Sequence, residues 1–259
     1  MLEIRGAAPG LLDDPLLLDV GGAARDTALV WRARLRDDDG FVWRAAAPRP
    51  EELSTAWVPA KPTAGPAAAL RSLRPVDVDV RVEAPDGSAA SRTITRRLLD
   101  EGVRLRRWRG DVAGTLHLPA APTGTTAILD ATTTPTRPSR DDSPGHIPGE
   151  SSLDAQEDGA GPDAGAVLPL AAALLASRGV LVLVVTGGRG PDPVAAAQEQ
   201  LAAVPGTDPA ATAVLPAADV PLPAGVGLRG EDRAGAIARA AAWDALLGRL
   251  GARPRATPR

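Results

Sequence analysis

Between residues 29 and 35 apolar and charged positions alternate: Leu29, Trp31, Ala33 and Leu35 are interleaved with Val30, Arg32 and Arg34, and Arg36 extends the charged set. Successive side chains of a strand point to opposite faces, so this period of two predicts a half-buried strand. Asp37-Asp38-Asp39-Gly40 then supplies turn residues, and Phe41, Trp43 and Ala45 resume the apolar face with Arg44 opposite. Together the two segments predict a β-hairpin. The same alternation recurs at Val76, Val78, Val80 and Val82, interleaved with Asp77, Asp79, Arg81 and Glu83 and closed by Pro85-Asp86-Gly87. Residues 91–97, 103–109 and 112–118 add further strands, the last two joined across Gly110-Asp111. Short strands at this spacing, with no helix between them, predict an antiparallel β-sandwich of immunoglobulin-like type over residues 11–122. Trp31, Trp43, Val78 and Val80 should lie inside it, and Arg32, Asp77 and Asp79 outside.

The pattern lapses over residues 131–165, which are rich in Thr, Ser, Pro, Gly and Asp and predict a long loop or poorly ordered linker that contains His146. Order resumes from residue 166 with a helix through Leu174, Leu175 and Arg178, stopped by Gly179. Residues 180–185 are continuously apolar and β-branched or leucine, the mark of a strand buried on both faces. Thr186-Gly187-Gly188-Arg189-Gly190-Pro191 follows, with Asp192 placed to cap a helix that has Pro193 at its first position and runs to about residue 203. This strand-to-helix turn has neither GxGxxG nor GxxxxGK[ST], so it reads as a generic βα turn rather than a phosphate cradle. A last helix over residues 231–250 has Ile237, Ala240, Trp243, Leu247 and Leu250 along one side.

The succession LLDDPLLLDV, ALVWRARLRDDDGFVWRAAA and EGVRLRRWRGDVAGTLHLPAAP resembles the amino-terminal domain of the acyl-CoA thioesterase / bile acid-CoA:amino acid N-acyltransferase family. Its last segment is similar to the strand that leads into that family's hydrolase domain. LAAALLASRGVLVLVV resembles the helix and strand after the family's Gly-rich oxyanion loop, with Asp130-Ala131-Thr132-Thr133-Thr134 where the glycine cluster is expected. AIARAAAWDALLGRL resembles its final helix. The resemblance implies a truncated α/β-hydrolase-like region at residues 166–252, acyl-thioester chemistry and an acyl-CoA ligand. It also implies a triad acid at Asp192 if GGRGPDPVAAAQEQL matches the acid-bearing turn, and places Asp219 where the catalytic histidine belongs.

The remaining triad members are not readable. Acyl transfer on this fold needs Ser or Cys in G-x-[SC]-x-G between a buried strand and a helix. The nearest approach, Gly149-Glu150-Ser151-Ser152-Leu153, follows a Pro-rich loop. An aspartate at position 219 cannot shuttle a proton as an imidazole does. The two histidines fall elsewhere: His117 out of phase with Leu116 and Leu118 in a strand, and His146 in the linker. The resemblance therefore points to a catalytically inactive relative. An active thiolester hydrolase with an unrecognised nucleophile and an unrelated sandwich interaction module stay open beside it.

Composition narrows the rest. The chain has 259 residues, 44% hydrophobic but only 2% aromatic, so Leu, Val and Ala must fill the interior. It has no cysteine, which excludes disulfides, thiolate metal sites and a cysteine nucleophile. A formal charge of −3 gives no global attraction to nucleic acid or acidic lipid. Arg104, Arg106, Arg107 and Arg109 make a local basic run around Trp108, which reads as a solvated strand face. No cofactor or metal is expected. The start, MLEIRGAAPGLLDD, has no signal pattern, and no apolar run approaches the roughly 20 residues of a membrane span, so a soluble cytoplasmic protein is expected.

Overall fold

The computed structural model describes residues 1–6, 10–55, 57–60, 70, 72–132, 164–204, 207–221, 223 and 233–255. Most of the predicted linker, with His146 and Ser151, lies outside the described residues. The described chain forms three sheets: a pair, β1 (Glu3–Gly6) with β2 (Leu18–Gly21), and two sheets of five strands.

The front five-stranded sheet is antiparallel throughout and contains β3 (Val30–Arg36), β4 (Val42–Ala47), β5 (Val58–Pro59), β6 (Val76–Glu83) and β7 (Ala89–Arg96), in the order β5-β4-β3-β6-β7. The period-two pattern sets its sidedness as expected. Trp31, Trp43, Val78 and Val80 are buried, and Arg32, Asp77 and Asp79 are exposed. The β3–β4 turn is held by the buried Asp37 carboxylate. One oxygen accepts the amides of Asp39 (3.0 Å) and Phe41 (2.8 Å), and the other accepts the Trp43 indole N–H (2.8 Å). Phe41 itself is exposed, against expectation: it sits on the correct parity but before β4 begins, beyond the cover of the core.

The second sheet corrects the predicted front-half boundary. β8 (Arg104–Trp108) and β9 (Val112–Leu118) are strands as the alternation requires, but neither joins the front sheet. They form one side of a mixed sheet with β10 (Thr126–Asp130), β11 (Leu181–Gly188) and β12 (Thr212–Pro216), in the order β8-β9-β11-β10-β12. β9 is antiparallel to both neighbours, whereas β11, β10 and β12 run parallel. β11 is a central strand: helices cover its two apolar faces, and it pairs with β10 on one edge and with β9 on the other. Gly114 makes this pairing close, since a Cβ there would stand 2.1 Å from the Val184 carbonyl oxygen.

Helices cover both faces. α1 (Ala164–Ser177) ends as predicted at Gly179, whose φ of +94° closes the helix while the Val180 amide reaches back to the Leu175 carbonyl (3.1 Å) and the Gly179 amide to that of Ala176 (3.0 Å). α1 and α3 (Arg233–Arg249) share one core with Ala127, Leu129, Val182, Val184 and Leu215. α2 (Pro193–Ala202) seals the opposite face, with Ala197 and Leu201 packed on Val112, Leu116, Ile128, Leu183 and Val185. In α3 the buried stripe is Ala236, Ala240, Trp243, Leu247 and Leu250, with Leu246 beside it. Ile237, expected on this stripe, is about 100° from Ala236 around the helix and is exposed.

The core under α1 and α3 is continuous with that of the front sheet. Asp13 pins the two together. Its carboxylate, fully buried, accepts from Arg178 Nη2 (2.9 Å) and Trp243 Nε1 (2.9 Å). The same Arg178 atom reaches Asp14 (2.7 Å), and Arg255 Nη1 donates to the Asp13 carbonyl (2.9 Å). Arg96 of β7 donates to the carbonyls of Leu11 and Asp14. Burial pushes the Asp13 carboxyl above its ordinary range, and the Arg178 guanidinium and Trp243 indole pull against that shift. No helix among the described residues is long and apolar enough to cross a membrane.

Candidate functional site

In an open sheet the crevice outside the carboxyl ends of parallel strands is the usual place for chemistry. Here β10 ends at Asp130, in register with Val185 of β11 and Pro216 of β12. Three carboxylates belong to the segments at this edge: Asp130 itself, Asp192 after β11, and Asp219 in the short turn Ala217–Asp219 after β12.

Each of the first two is already occupied by its own backbone. Asp130 is buried, and its Oδ1 accepts both the Thr132 amide (2.8 Å) and the Thr132 hydroxyl (2.6 Å). The Ala131 amide donates to the Val185 carbonyl (2.9 Å). The two backbone N–H groups that follow β10, where an oxyanion loop is implied by the resemblance, are therefore both spent. Asp192, the implied triad acid, is exposed and serves as the N-cap of α2. Its Oδ1 accepts the amides of Val194 (3.1 Å) and Ala195 (2.9 Å). Asp219 is exposed.

No imidazole reaches this edge from β9. His117 is in register with Val182, which pairs with Ala127, three residues before Asp130. That separation is about 10 Å along the strands, toward their amino ends. His117 is 1% exposed, its Nδ1 has no hydrogen-bond partner, and burial lowers its pKa from 6.5 to about 4. It is a neutral core side chain on the α1 face, opposite in direction to Leu116, as its phase in the strand predicts. His146 and Ser151 lie outside the described residues. Among the described residues no non-glycine has a positive φ, so no side chain is held on a strained elbow, and no group of three or more His, Cys, Asp or Glu could hold a metal ion.

The basic run proves to be an edge. Arg104, Arg106 and Arg107 are exposed along β8, an edge strand, and Arg109 just past its end, while the Trp108 indole turns in to donate to Gln200 of α2 (2.7 Å).

A second constellation stands on the outer face of the front sheet and was not singled out by the sequence. Arg34 faces Arg44 across β3–β4, and Arg32 faces Arg81 across β3–β6. They border a groove of about 590 Å³ that includes Ala46, Val58, Ser91 and Thr93. Glu83 bridges Arg32 (3.2 Å) and Arg81 (2.8 Å), and Asp79 accepts from the Thr93 hydroxyl (2.7 Å). The signal was present in the predicted hairpin: a turn centred on residues 37–41 puts residues 34 and 44 opposite one another. Compared with protein families and with curated proteins, the sequence matches none.

Proposed function

We propose that this chain is a catalytically silent relative of the acyl-CoA thioesterase / N-acyltransferase family, built as a reduced immunoglobulin-like front followed by the opening strands of an α/β-hydrolase sheet, and that it binds acyl-CoA without hydrolysing it. The observation that carries the reading is the strand order. An α/β-hydrolase sheet opens with an antiparallel pair and then places its fourth strand inside its third. The order β8-β9-β11-β10-β12, antiparallel only around β9, has that arrangement. On this reading β10 leads into the oxyanion loop and β12 into the nucleophile elbow, so that Asp192, after the fourth strand, and Asp219, in the elbow turn, do not stand at the triad-acid and histidine positions first expected for them.

Both positions lack the chemistry. Hydrolysis needs a nucleophile on the elbow, a histidine to take its proton, an acid to orient the histidine, and free amides for the oxyanion. After β12 the chain reads Pro216-Ala217-Ala218-Asp219, without a hydroxyl or thiol until the acid. After β10 the amides of Ala131 and Thr132 are bonded internally. Losing one triad member alone lowers turnover by orders of magnitude.

The test is thiol release from medium- and long-chain acyl-CoAs, run beside calorimetric titration of the same ligands. Binding without release is the expected result. Robust release that is abolished by His146→Ala or Ser151→Ala would overturn the silent reading and favour an active hydrolase. Absence of both binding and release would leave the sandwich interaction module.

A further inference from the structure

The outer face of the front sheet carries an arrangement that folding alone disfavours. Like charges directly opposite one another on neighbouring strands destabilise a sheet. This face has two such pairs, Arg32 with Arg81 and Arg34 with Arg44. The first is neutralised in part by Glu83, which bonds to both guanidiniums. The second is not. Asp79, which pairs in register with Arg34, is engaged by Thr93, and no hydrogen bond or ion pair reaches the side chain of Arg34 or Arg44 from the described residues. Two guanidiniums that no ion pair among the described residues ties down therefore stand side by side at about the 5 Å Cβ spacing of a cross-strand pair. They border a groove whose other charged lining is Arg32, Asp79, Arg81 and Arg92, beside small or weakly polar residues such as Ala46, Ser91 and Thr93.

We infer that this groove is an anion-binding site, taking a small molecule that bears a phosphate or carboxylate group, with Arg34 and Arg44 as its paired donors and the Ser91 and Thr93 side as its polar wall. Guanidinium forks match the oxygens of either group and bind them bidentately. A groove of about 590 Å³ fits a compact ligand and not a folded partner. Five lining arginines against Asp79 and the neighbouring Glu83 leave the groove net positive, which draws such a ligand in. The site is on the front sheet, independent of the carboxyl edge of the mixed sheet, and stands or falls without the hydrolase reading.

The experiment uses the full chain and two probes, pyrophosphate and citrate, followed by calorimetry and thermal unfolding. The variants are Arg34→Gln with Arg44→Gln, and as a charge-matched control Arg104→Gln with Arg106→Gln on the β8 edge. At least one probe should bind the native protein and the control alike, and should bind the groove variant about tenfold or more weakly. Without any anion the groove variant should melt about 1–2 °C higher, because the unmatched pair is gone. Which probe binds tells phosphate from carboxylate. Equal weakening in both variants would reduce the effect to net charge and overturn the site. So would binding by neither probe. Opposite effects on bare stability and on binding cannot come from misfolding.

Discussion

His117 shows how a single side chain can look chemical and be structural. Histidine is the residue whose ordinary pKa invites a catalytic reading, yet here it is packed under α1 with one ring nitrogen unpaired. Its folded pKa, about 4, lies below the unfolded value of 6.5, so the unfolded chain takes the proton first as pH falls. Stability is therefore unaffected by this group above pH 6.5, declines between 6.5 and 4, and levels below, with a total loss of about 3 kcal/mol. His117→Leu should remove that decline and, by deleting a buried unsatisfied nitrogen, raise stability by about 1 kcal/mol at neutral pH. Urea midpoints across the window check both. An undiminished slope in His117→Leu would assign the titration elsewhere.

At the level of elements, β9 meets β11 at a position with no room for a side chain. Gly114→Ala would drive a methyl group into the Val184 carbonyl and prise the strands apart, at a cost of about 2–3 kcal/mol. Hydrogen exchange should show faster opening of β8 and β9 than of β3 and β4; uniform loosening of the whole molecule would contradict this. The hairpin from β3 to β4, the valine strand, the α1 stop at Gly179 and the Asp192 cap were all legible, because each is written in local periodicity or in one residue's backbone preference. The partner of β9 was not, since alternation states which face is buried and never which strand lies alongside. β1 and β2 were missed because four residues carry too little pattern to register. The carboxyl edge was half legible: the helix-capping role of Asp192 could be read from sequence, but the consumption of the Ala131 and Thr132 amides needed coordinates. Ile237 misled because an apolar residue beside a stripe reads like one on it.

At the scale of the whole molecule, the two large sheets are held together by a buried polar network more than by any boundary strand. Asp13 has no exposure, and Arg178 only 6% at its side chain. Arg178→Met would leave that carboxylate uncompensated in the core and should cost about 3–5 kcal/mol, whereas joining it with Asp13→Asn should recover much of the loss. A double-mutant cycle in guanidinium chloride measures the coupling. Additive effects would show that the pair does not act as a unit.

The same network has a temporal side. Strands β3 to β7 find all their partners within residues 30–96, so the front sheet can close while the rest of the chain is still being made. Asp13 cannot. Its partners are Arg178, Trp243 and Arg255, which are synthesised 165, 230 and 242 residues after it. Until they arrive, the segment around Leu11, Leu12 and Leu16 has its apolar side chains and its acid pair without their final shelter. The segment around residue 13 is thus held in suspense by residues made long after it, and damage near residue 243 or 255 would be felt first there.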